Sequence, residues 1–311
     1  MHRHYDHGLI AQVARRFFPD ADAPIVVERV EEGISTDIFR LRSKGSVYYM
    51  RILPEAGHNY TPEAEAHRLL RAHGVQVPEV LGWDDHDPLL ERAVMLTTAI
   101  PGGPIIPGDD RAMAQEVMRA AGRDLALIKS IPVAGFGWVE REHVTQSITA
   151  EWPTQRAWLM STWDADLAYL EEAALSHTQV TTLRAIVAEH DAWLDTPQAC
   201  LAHGDFDTTH IFHEHGRYTG IIDFGEIRGT DPYYDLGHFL VHDGERLPQM
   251  LFPALLTGYA EFAPHAEPML PQIRFTRMLI AVRKLALLLP RGYTGALIDL
   301  CHAAIRQQTN G

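Results

Sequence analysis

The stretch that decides the fold is Cys200–Phe239, which reads CLAHGDFDTTHIFHEHGRYTGIIDFGEIRGTDPYYDLGHF. Three of its aspartates, Asp205, Asp223 and Asp235, stand in a fixed order, and His210 lies between the first two. Carboxylates take up protons and bind divalent cations, and an imidazole can also ligate a metal ion. The stretch therefore carries side chains suited to acid–base and metal chemistry.

Apolar runs separate these polar side chains. They lie at 199–202, 211–212 and 218–222, and a polar turn that contains Gly216 joins the last two. Short apolar runs that alternate with glycine-containing turns are typical of strands and hairpins. We therefore predict a strand, a loop that bears Asp205, and a β-hairpin that ends at Asp223.

Phosphoryl transfer needs such a layout, because the enzyme mainly positions a hydroxyl and neutralises phosphate charge with a cation. One carboxylate meets the hydroxyl and another grips the metal. The order His203-Gly204-Asp205, then Ile222-Asp223-Phe224-Gly225, resembles the catalytic loop and the Asp-Phe-Gly motif of protein-kinase-like folds. The His-Gly-Asp spelling and the later run DPYYDL at 231–236 resemble the aminoglycoside phosphotransferase superfamily.

The resemblance implies a role for each polar residue of the stretch. Asp205 would accept the proton of the acceptor hydroxyl, His210 and Asp223 would hold Mg²⁺, and His203 and Asp235 would brace the loop. His210 stands where the family usually has Asn, and a similar His occurs in macrolide and 2″-type aminoglycoside kinases. The alternative, in which the aspartates only cap loops, is disfavoured by the complete ordered set.

The N-terminal part alternates apolar and polar residues, which predicts strands at 25–30, 38–42 and 47–53. The resemblance implies that Gly33, Ser35 and Thr36, in the first turn, face the nucleotide phosphates.

A cation and an acid follow in this part. Arg51 occupies the strand position where kinase-like folds place a phosphate-binding lysine, and its guanidinium can grip phosphate; a surface arginine is the alternative. The run Thr61-Pro62-Glu63 predicts a helix start with Thr61 as its cap. The register of the family pattern makes Glu63 the acid that orients Arg51, and Glu65 is the second candidate.

The last two strands of this part are predicted at 75–82 and 93–98, and Pro101-Gly102-Gly103 then predicts a linker. The resemblance implies that the backbone of Thr97 and Ala99 holds the purine.

Beyond the linker, apolar periodicity predicts a mostly helical chain. The segments are 111–130, 154–173, 180–194, 247–262, 272–289 and 295–307. Most of the tryptophans here are expected in the core, and some can stack on a substrate. We therefore predict an α+β, protein-kinase-like fold: residues 1–100 form a nucleotide-binding lobe with a five-stranded antiparallel sheet and a helix, and residues 101–311 form a mainly helical lobe with the catalytic loop and the substrate site.

The formal net charge is −14, and the acidic excess is largest after residue 98, where 26 acidic residues accompany 16 basic ones. A nucleic-acid partner is disfavoured, because it requires a basic face. An acidic cleft would attract a cationic acceptor, although the charge can equally serve solubility. The two cysteines predict buried thiols in a cytoplasmic protein, and no secretory signal or membrane span is recognised. A monomer and a dimer both remain open.

These features predict an Mg²⁺-dependent phosphotransferase that moves the γ-phosphate of ATP or GTP to a small-molecule hydroxyl. The resemblance favours an aminoglycoside antibiotic, hence a resistance kinase. A macrolide or a metabolite such as choline, homoserine or a sugar is the alternative acceptor. A nucleotide-binding module without activity is a third reading, motivated by the replacement of the usual Asn and Lys.

Overall fold

The computed structural model describes residues 5–18, 23–30, 36–142, 148–248, 250–263 and 270–309. The chain divides into two compact units. The N-terminal unit comprises Met1–Pro101, Glu140–Ile148 and Gly220–Ile222, and the C-terminal unit comprises Gly102–Val139, Thr149–Thr219 and Asp223–Gly311.

The N-terminal unit is a five-stranded antiparallel sheet with two helices. Its elements are α1 (His7–Ala14), β1 (Val26–Val30), β2 (Asp37–Ser43), β3 (Ser46–Ile52), α2 (Thr61–Ala72), β4 (Val80–Asp87) and β5 (Arg92–Thr98), with a 3₁₀ turn at Arg15–Phe17. The strand order is β1-β2-β3-β5-β4. Alternate residues of β2 and β3, among them Phe39 and Met50, point inward and pack on α1 through Ile10 and Val13. The predicted five-stranded sheet is confirmed.

The fourth strand was predicted at the wrong place. It runs over Val80–Asp87, not 75–82, and its pairing with β5 shifts register twice. The acidic residues that obscured its pattern have partners elsewhere in the unit. Asp85 accepts hydrogen bonds from the backbone N–H groups of Tyr60 and Thr61 and so caps α2 from outside the helix. Thr61 is therefore not the cap, since Tyr60 is the N-cap residue.

The C-terminal unit is mainly helical, as predicted. Its helices are α3 (Arg111–Ile128), α4 (Gln155–Met160), α5 (Trp163–Ala173), α6 (His177–Glu189), α7 (Tyr234–His242), α8 (Phe252–Phe262), α9 (Leu270–Leu288) and α10 (Ala296–Thr309), and 3₁₀ turns lie at Asp191–Leu194, Phe224–Glu226 and Leu289–Arg291. Its strands are β6 (Gly103–Pro104), β7 (Pro132–Val133), β8 (Phe136–Val139), β9 (Ala150–Trp152), β10 (Ala199–Ala202), β11 (Ile211–Glu214), β12 (Arg217–Ile221), which ends in the N-terminal unit, and β13 (Arg228–Thr230).

Two features of this unit differ from the sequence prediction. The single helix expected at 154–173 is broken, because the chain turns at Ser161–Thr162 and Thr162 Oγ1 donates to Asp166 Oδ2 at 2.8 Å in the first turn of α5. A second five-stranded sheet, in the order β7-β10-β13-β8-β9, was not predicted. Each of its five strands has only two to four residues, too few for a periodic pattern to show.

The core of the C-terminal unit lies among α5, α6, α9 and α10, where Leu167, Leu183, Leu285 and Ile305 are fully buried. Among the described helices, none has both the length and the apolar character needed to cross a membrane.

Candidate active site

A fully buried carboxylate anchors the loop that carries Asp205. Asp235, in the first turn of α7, accepts hydrogen bonds from the backbone N–H groups of His203 at 2.9 Å and Gly204 at 3.0 Å. It also accepts one from Lys129 Nζ at 2.6 Å. Burial alone would raise the pKa of Asp235, but the Lys129 ammonium and these hydrogen bonds outweigh it and lower the pKa. Asp235 is therefore a charged brace for the loop.

Lys129 follows the last turn of α3, and the sequence analysis missed it. Its side chain is only 4% exposed, and Nζ also donates to the carbonyl of Leu201 in β10 at 3.2 Å. The two bonds connect α3, β10 and α7 at the start of the loop. The one feature of the sequence that could have pointed to this role is a lysine placed directly after the apolar last turn of a helix.

His203 supports the loop from the inside. Its ring is fully buried and packs edge-on against Phe206 and Phe224, with centroid separations of 5.7 and 4.7 Å. Its Nδ1 accepts the backbone N–H of Asp205 at 3.3 Å. The ring thus joins the His-Gly-Asp loop to the phenylalanine of the Asp-Phe-Gly turn.

Gly204 is required by both its backbone angle and the lack of space around it. Its φ is +90°, and an added Cβ would lie 1.8 Å from the carbonyl oxygen of Glu226. We expect Gly204→Ala to cost about 1–3 kcal/mol in backbone strain alone, and to reduce turnover further because the collision displaces Asp205. Steady-state kinetics and the unfolding midpoint measure the two effects.

Gly57→Ala is the matched control, because Gly57 has the same φ of +90° but no atom within 4 Å of its virtual Cβ. Equal losses in the two variants would show that crowding at Gly204 is unimportant.

Asp205 itself is 42% exposed and lies beside a buried imidazole. His238 Nε2, on α7, is 3.4 Å from Asp205 Oδ1, and His238 Nδ1 lies 3.2 Å from the carbonyl oxygen of Phe206. A carbonyl only accepts, so Nδ1 carries the proton of the neutral ring. Burial places the pKa of His238 well below its usual value, so the ring is neutral near pH 7. Its Nε2 lone pair then faces the carboxylate, and a proton gained by Asp205 would have an acceptor there.

The pair His210 and Asp223 is brought together as the sequence predicted. His210 Nδ1 donates to the carbonyl oxygen of Asp205 at 2.8 Å, which leaves a lone pair on Nε2. Nε2 lies 3.8 Å from Asp223 Oδ2. Asp223 has the left-handed angles φ 64° and ψ 66°, which are uncommon for a residue other than glycine and concentrate at functional sites.

This pair fits a divalent cation. Two ligands at about 2 Å from one ion can lie up to about 4 Å apart, and the observed 3.8 Å is within that limit. No group of three or more His, Cys, Asp or Glu side chains suited to a metal occurs among the residues described. Mg²⁺ keeps waters and takes phosphate oxygens, so one or two protein ligands suffice.

In the N-terminal unit, the structure brings Arg51 and Glu63 together. Glu63 is fully buried and accepts hydrogen bonds from Arg51 Nη1 and, at 2.9 Å, from Arg141 Nη2. The second candidate, Glu65, pairs instead with Arg68 on the surface of α2. Arg51 is only 12% exposed, which disfavours the surface-arginine alternative. Arg141 is distant in sequence and was not predicted.

The other residues predicted to bind nucleotide are less defined. Thr36 is buried next to the first residue of β2, whereas Gly33 and Ser35 lie outside the described residues. Thr97 is paired within the sheet, and the N–H of Ala99 donates to the carbonyl oxygen of Val47 at 3.2 Å. The Ala99 N–H is thus already engaged, and purine recognition by this segment stays a prediction.

A cavity of about 420 Å³ opens beside Asp205 within the C-terminal unit. Four tryptophans contribute to its walls, namely Trp138, Trp152, Trp158 and Trp163. Ser161 and Thr162, at the break between α4 and α5, also line it. Cavities of this size hold small organic ligands, so the unit has room for an acceptor next to the predicted base.

Comparison with known proteins identifies the family. The model of the phosphotransferase enzyme family matches residues 26–270, and the chain belongs to this family. No curated protein matches the sequence.

Solved structures of similar fold include three that span nearly the whole chain. A candidate aminoglycoside phosphotransferase from Ralstonia eutropha is 15% identical, with 98% of this chain and 96% of that chain covered and a TM-score of 0.68. A variant of aminoglycoside phosphotransferase APH(4)-Ia in ternary complex with ADP and hygromycin B is 17% identical, with 92% of each chain covered and a TM-score of 0.62. Macrolide 2′-phosphotransferase MphH from Brachybacterium faecium is 18% identical, with 96% of each chain covered and a TM-score of 0.57. At these identities the likeness is one of fold.

Proposed function

We propose that this phosphotransferase moves the γ-phosphoryl group of ATP or GTP to a hydroxyl of a small molecule. The observation that carries the proposal is the position of Asp205, which lies on the wall of a cavity and whose carbonyl oxygen accepts a hydrogen bond from His210 of the His210–Asp223 pair. Asp205 orients the hydroxyl and takes its proton. His210 Nε2 and the Asp223 carboxylate hold Mg²⁺, which neutralises charge on the phosphates.

Nucleotide binding is assigned to the N-terminal unit. Arg51 grips the phosphates, and buried Glu63 fixes the orientation of its guanidinium. The relative crystallised with ADP supports a nucleotide donor. The short distance between His210 and Asp223 and the place of Asp205 on the cavity wall favour an active enzyme over a module without activity.

Two classes of acceptor have support. An aminoglycoside is favoured by the sequence resemblance and by the relative that binds hygromycin B. A small hydroxylated metabolite is favoured by the cavity itself. Three acids line it, Asp166, Asp205 and Glu226, but three cations line it as well, Arg228, Arg283 and Lys284. Such a balanced lining gives a polycation no electrostatic advantage.

We expect Mg²⁺-dependent consumption of ATP or GTP that is stimulated by one acceptor class. The measurement is nucleotide turnover with kanamycin, hygromycin B, erythromycin, choline, homoserine and glucose, each with Mg²⁺ and with excess EDTA. EDTA should reduce turnover to background, because without the cation the phosphate charges remain uncompensated. If neither ATP nor GTP is consumed above background with any acceptor or with water, the proposed activity is wrong.

A further inference from the structure

One ammonium group in the cavity next to Asp205, that of Lys284, makes no direct ion pair with any residue that the structure describes. Lys284 lies on α9, in the stripe Ile280, Arg283, Lys284 and Leu287 that lines the cavity at helical spacing. The side chain is half-buried. Within the described ranges, no side chain or carbonyl forms an ion pair or hydrogen bond with Lys284. Burial lowers the pKa of its ammonium group, and the Asp205 carboxylate, which lies beyond ion-pair distance, opposes this shift only in part.

The other two cations of the cavity are already neutralised. Arg228 Nη2 lies 3.1 Å from Glu226 Oε2, and the Arg228 guanidinium stacks over the Trp138 ring at 3.9 Å. Arg283 Nη1 lies 2.8 Å from Asp166 Oδ1. When these pairs are set aside, Asp205 and Lys284 are the two remaining charges of the lining.

These two charges have different uses. Asp205 must receive the acceptor hydroxyl, so it is not available as a permanent partner for Lys284. A half-buried ammonium without a counter-charge in direct contact is costly, because it has lost part of its hydration and the more distant Asp205 carboxylate compensates only in part. An anionic group on a bound molecule would compensate the ammonium group for its lost hydration.

We propose that the acceptor carries a carboxylate, which pairs with Lys284 while the acceptor hydroxyl lies at Asp205. The apolar or ring part of the molecule packs on the tryptophan walls. This inference rests on the proposed function and names its acceptor class. An aminoglycoside is disfavoured, since its ammonium groups would face Lys284. In the reaction, the hydroxyl oxygen bonds to the γ-phosphorus, the bond to the β-phosphate oxygen breaks, the hydroxyl proton passes to Asp205, and nucleoside diphosphate leaves.

The test uses acceptors that differ only in the acid group. The probes are 4-(hydroxymethyl)benzoate with its amide, and glucuronate with glucose. Binding is measured by calorimetry without nucleotide and turnover with ATP or GTP, in the wild type, in Lys284→Gln and in the control Lys44→Gln. Lys44 is exposed in the N-terminal unit.

We expect the wild type to prefer the acid over its neutral partner by about ten- to a hundredfold, the range for a hydrogen bond to a charged group. Lys284→Gln should remove the preference, mainly by raising KM for the acid, whereas Lys44→Gln should keep it. No preference in either pair, or an equal loss of kcat for acid and neutral acceptors in Lys284→Gln, would overturn the inference.

Lysine labelling provides a second readout that does not need turnover. The chain has three lysines, of which Lys129 is buried in its ion pair, so acetylation mapped by mass spectrometry compares Lys284 with Lys44 directly. The acid probe should protect Lys284 and leave Lys44 unchanged. Turnover of aminoglycosides without protection of Lys284 would refute the carboxylate and leave the phosphotransferase activity standing. Protection of Lys284 by the acid probe without any nucleotide turnover would support the carboxylate site and refute the phosphotransferase activity.

Discussion

Replacement of Asp205 by asparagine is expected to lower phosphoryl transfer by about 10²–10⁴-fold, the contribution usual for a positioned general base. The amide has the size of the carboxylate but cannot take up the hydroxyl proton. The proposed nucleotide ligands in the N-terminal unit and the His210–Asp223 pair are untouched. We therefore expect nucleotide affinity, measured by titration calorimetry with Mg²⁺, to stay close to that of the wild type.

The control for this variant is Asp164→Asn. Asp164 is exposed at the start of α5 and pairs with Arg184 on the surface, so its turnover should match the wild type. Wild-type turnover in Asp205→Asn would remove Asp205 as the base. A loss of nucleotide binding that parallels the loss of rate would instead assign Asp205 to the metal–nucleotide complex.

The part of the site that could be predicted lies in one continuous stretch. His210 and Asp223 flank a hairpin whose two-residue turn, His215-Gly216, has positive φ at both positions, 50° and 80°. Such a turn fixes the register of the flanking strands. The hairpin was predicted from its strand and turn pattern, and the family resemblance assigned the two flanking residues to one metal. A short hairpin brings residues on its two sides close together, which is why this part of the prediction needed no long-range information.

The residues that escaped prediction act over long separations. Arg141 reaches Glu63 across 78 positions, and Lys129 reaches Asp235 across 106. Asp85 lies in β4 but caps α2, so its polar side chain interrupts the alternation of polar and apolar residues that would have marked the strand. In each case the partner is set by tertiary packing, and a single sequence contains no periodic signal for it.

The charge of the cavity beside Asp205 could not be predicted from the sequence for the same reason. The acidic excess after residue 98 favoured a cationic acceptor, but net charge describes a whole lobe and not one cavity. The paired side chains at the cavity, Arg228 with Glu226 and Arg283 with Asp166, cancel locally. The two charges that remain, those of Asp205 and Lys284, are placed by the His-Gly-Asp loop and by α9.

The second large effect is expected at the buried pair of Lys129 and Asp235. Lys129→Met leaves a fully buried carboxylate without its counter-charge, and breaking a buried pair from one side costs about 3–5 kcal/mol. Unfolding in denaturant, followed by tryptophan fluorescence, measures the change in the C-terminal unit, because every tryptophan but Trp83 lies there.

Arg156→Gln is the control for Lys129→Met. It removes a cation from an exposed cluster with Asp191 and Asp195, and exposed pairs contribute little.

The pH dependence separates a lost ion pair from a general packing defect. The folded-state pKa of Asp235 is lowered, so its stabilising contribution is present above the unfolded pKa of about 4 and is lost as the pH falls through the folded value. In Lys129→Met, burial is no longer opposed by the ammonium group, and the pKa of Asp235 should rise above its unfolded value. Protonation then relieves the variant at low pH, so its deficit in unfolding free energy should be largest near pH 7. The deficit should shrink as the pH falls through the raised pKa of the variant and on to the lowered pKa of the wild type. A deficit that is the same at both pH values would mean that Lys129 stabilises the fold by packing and not by its charge.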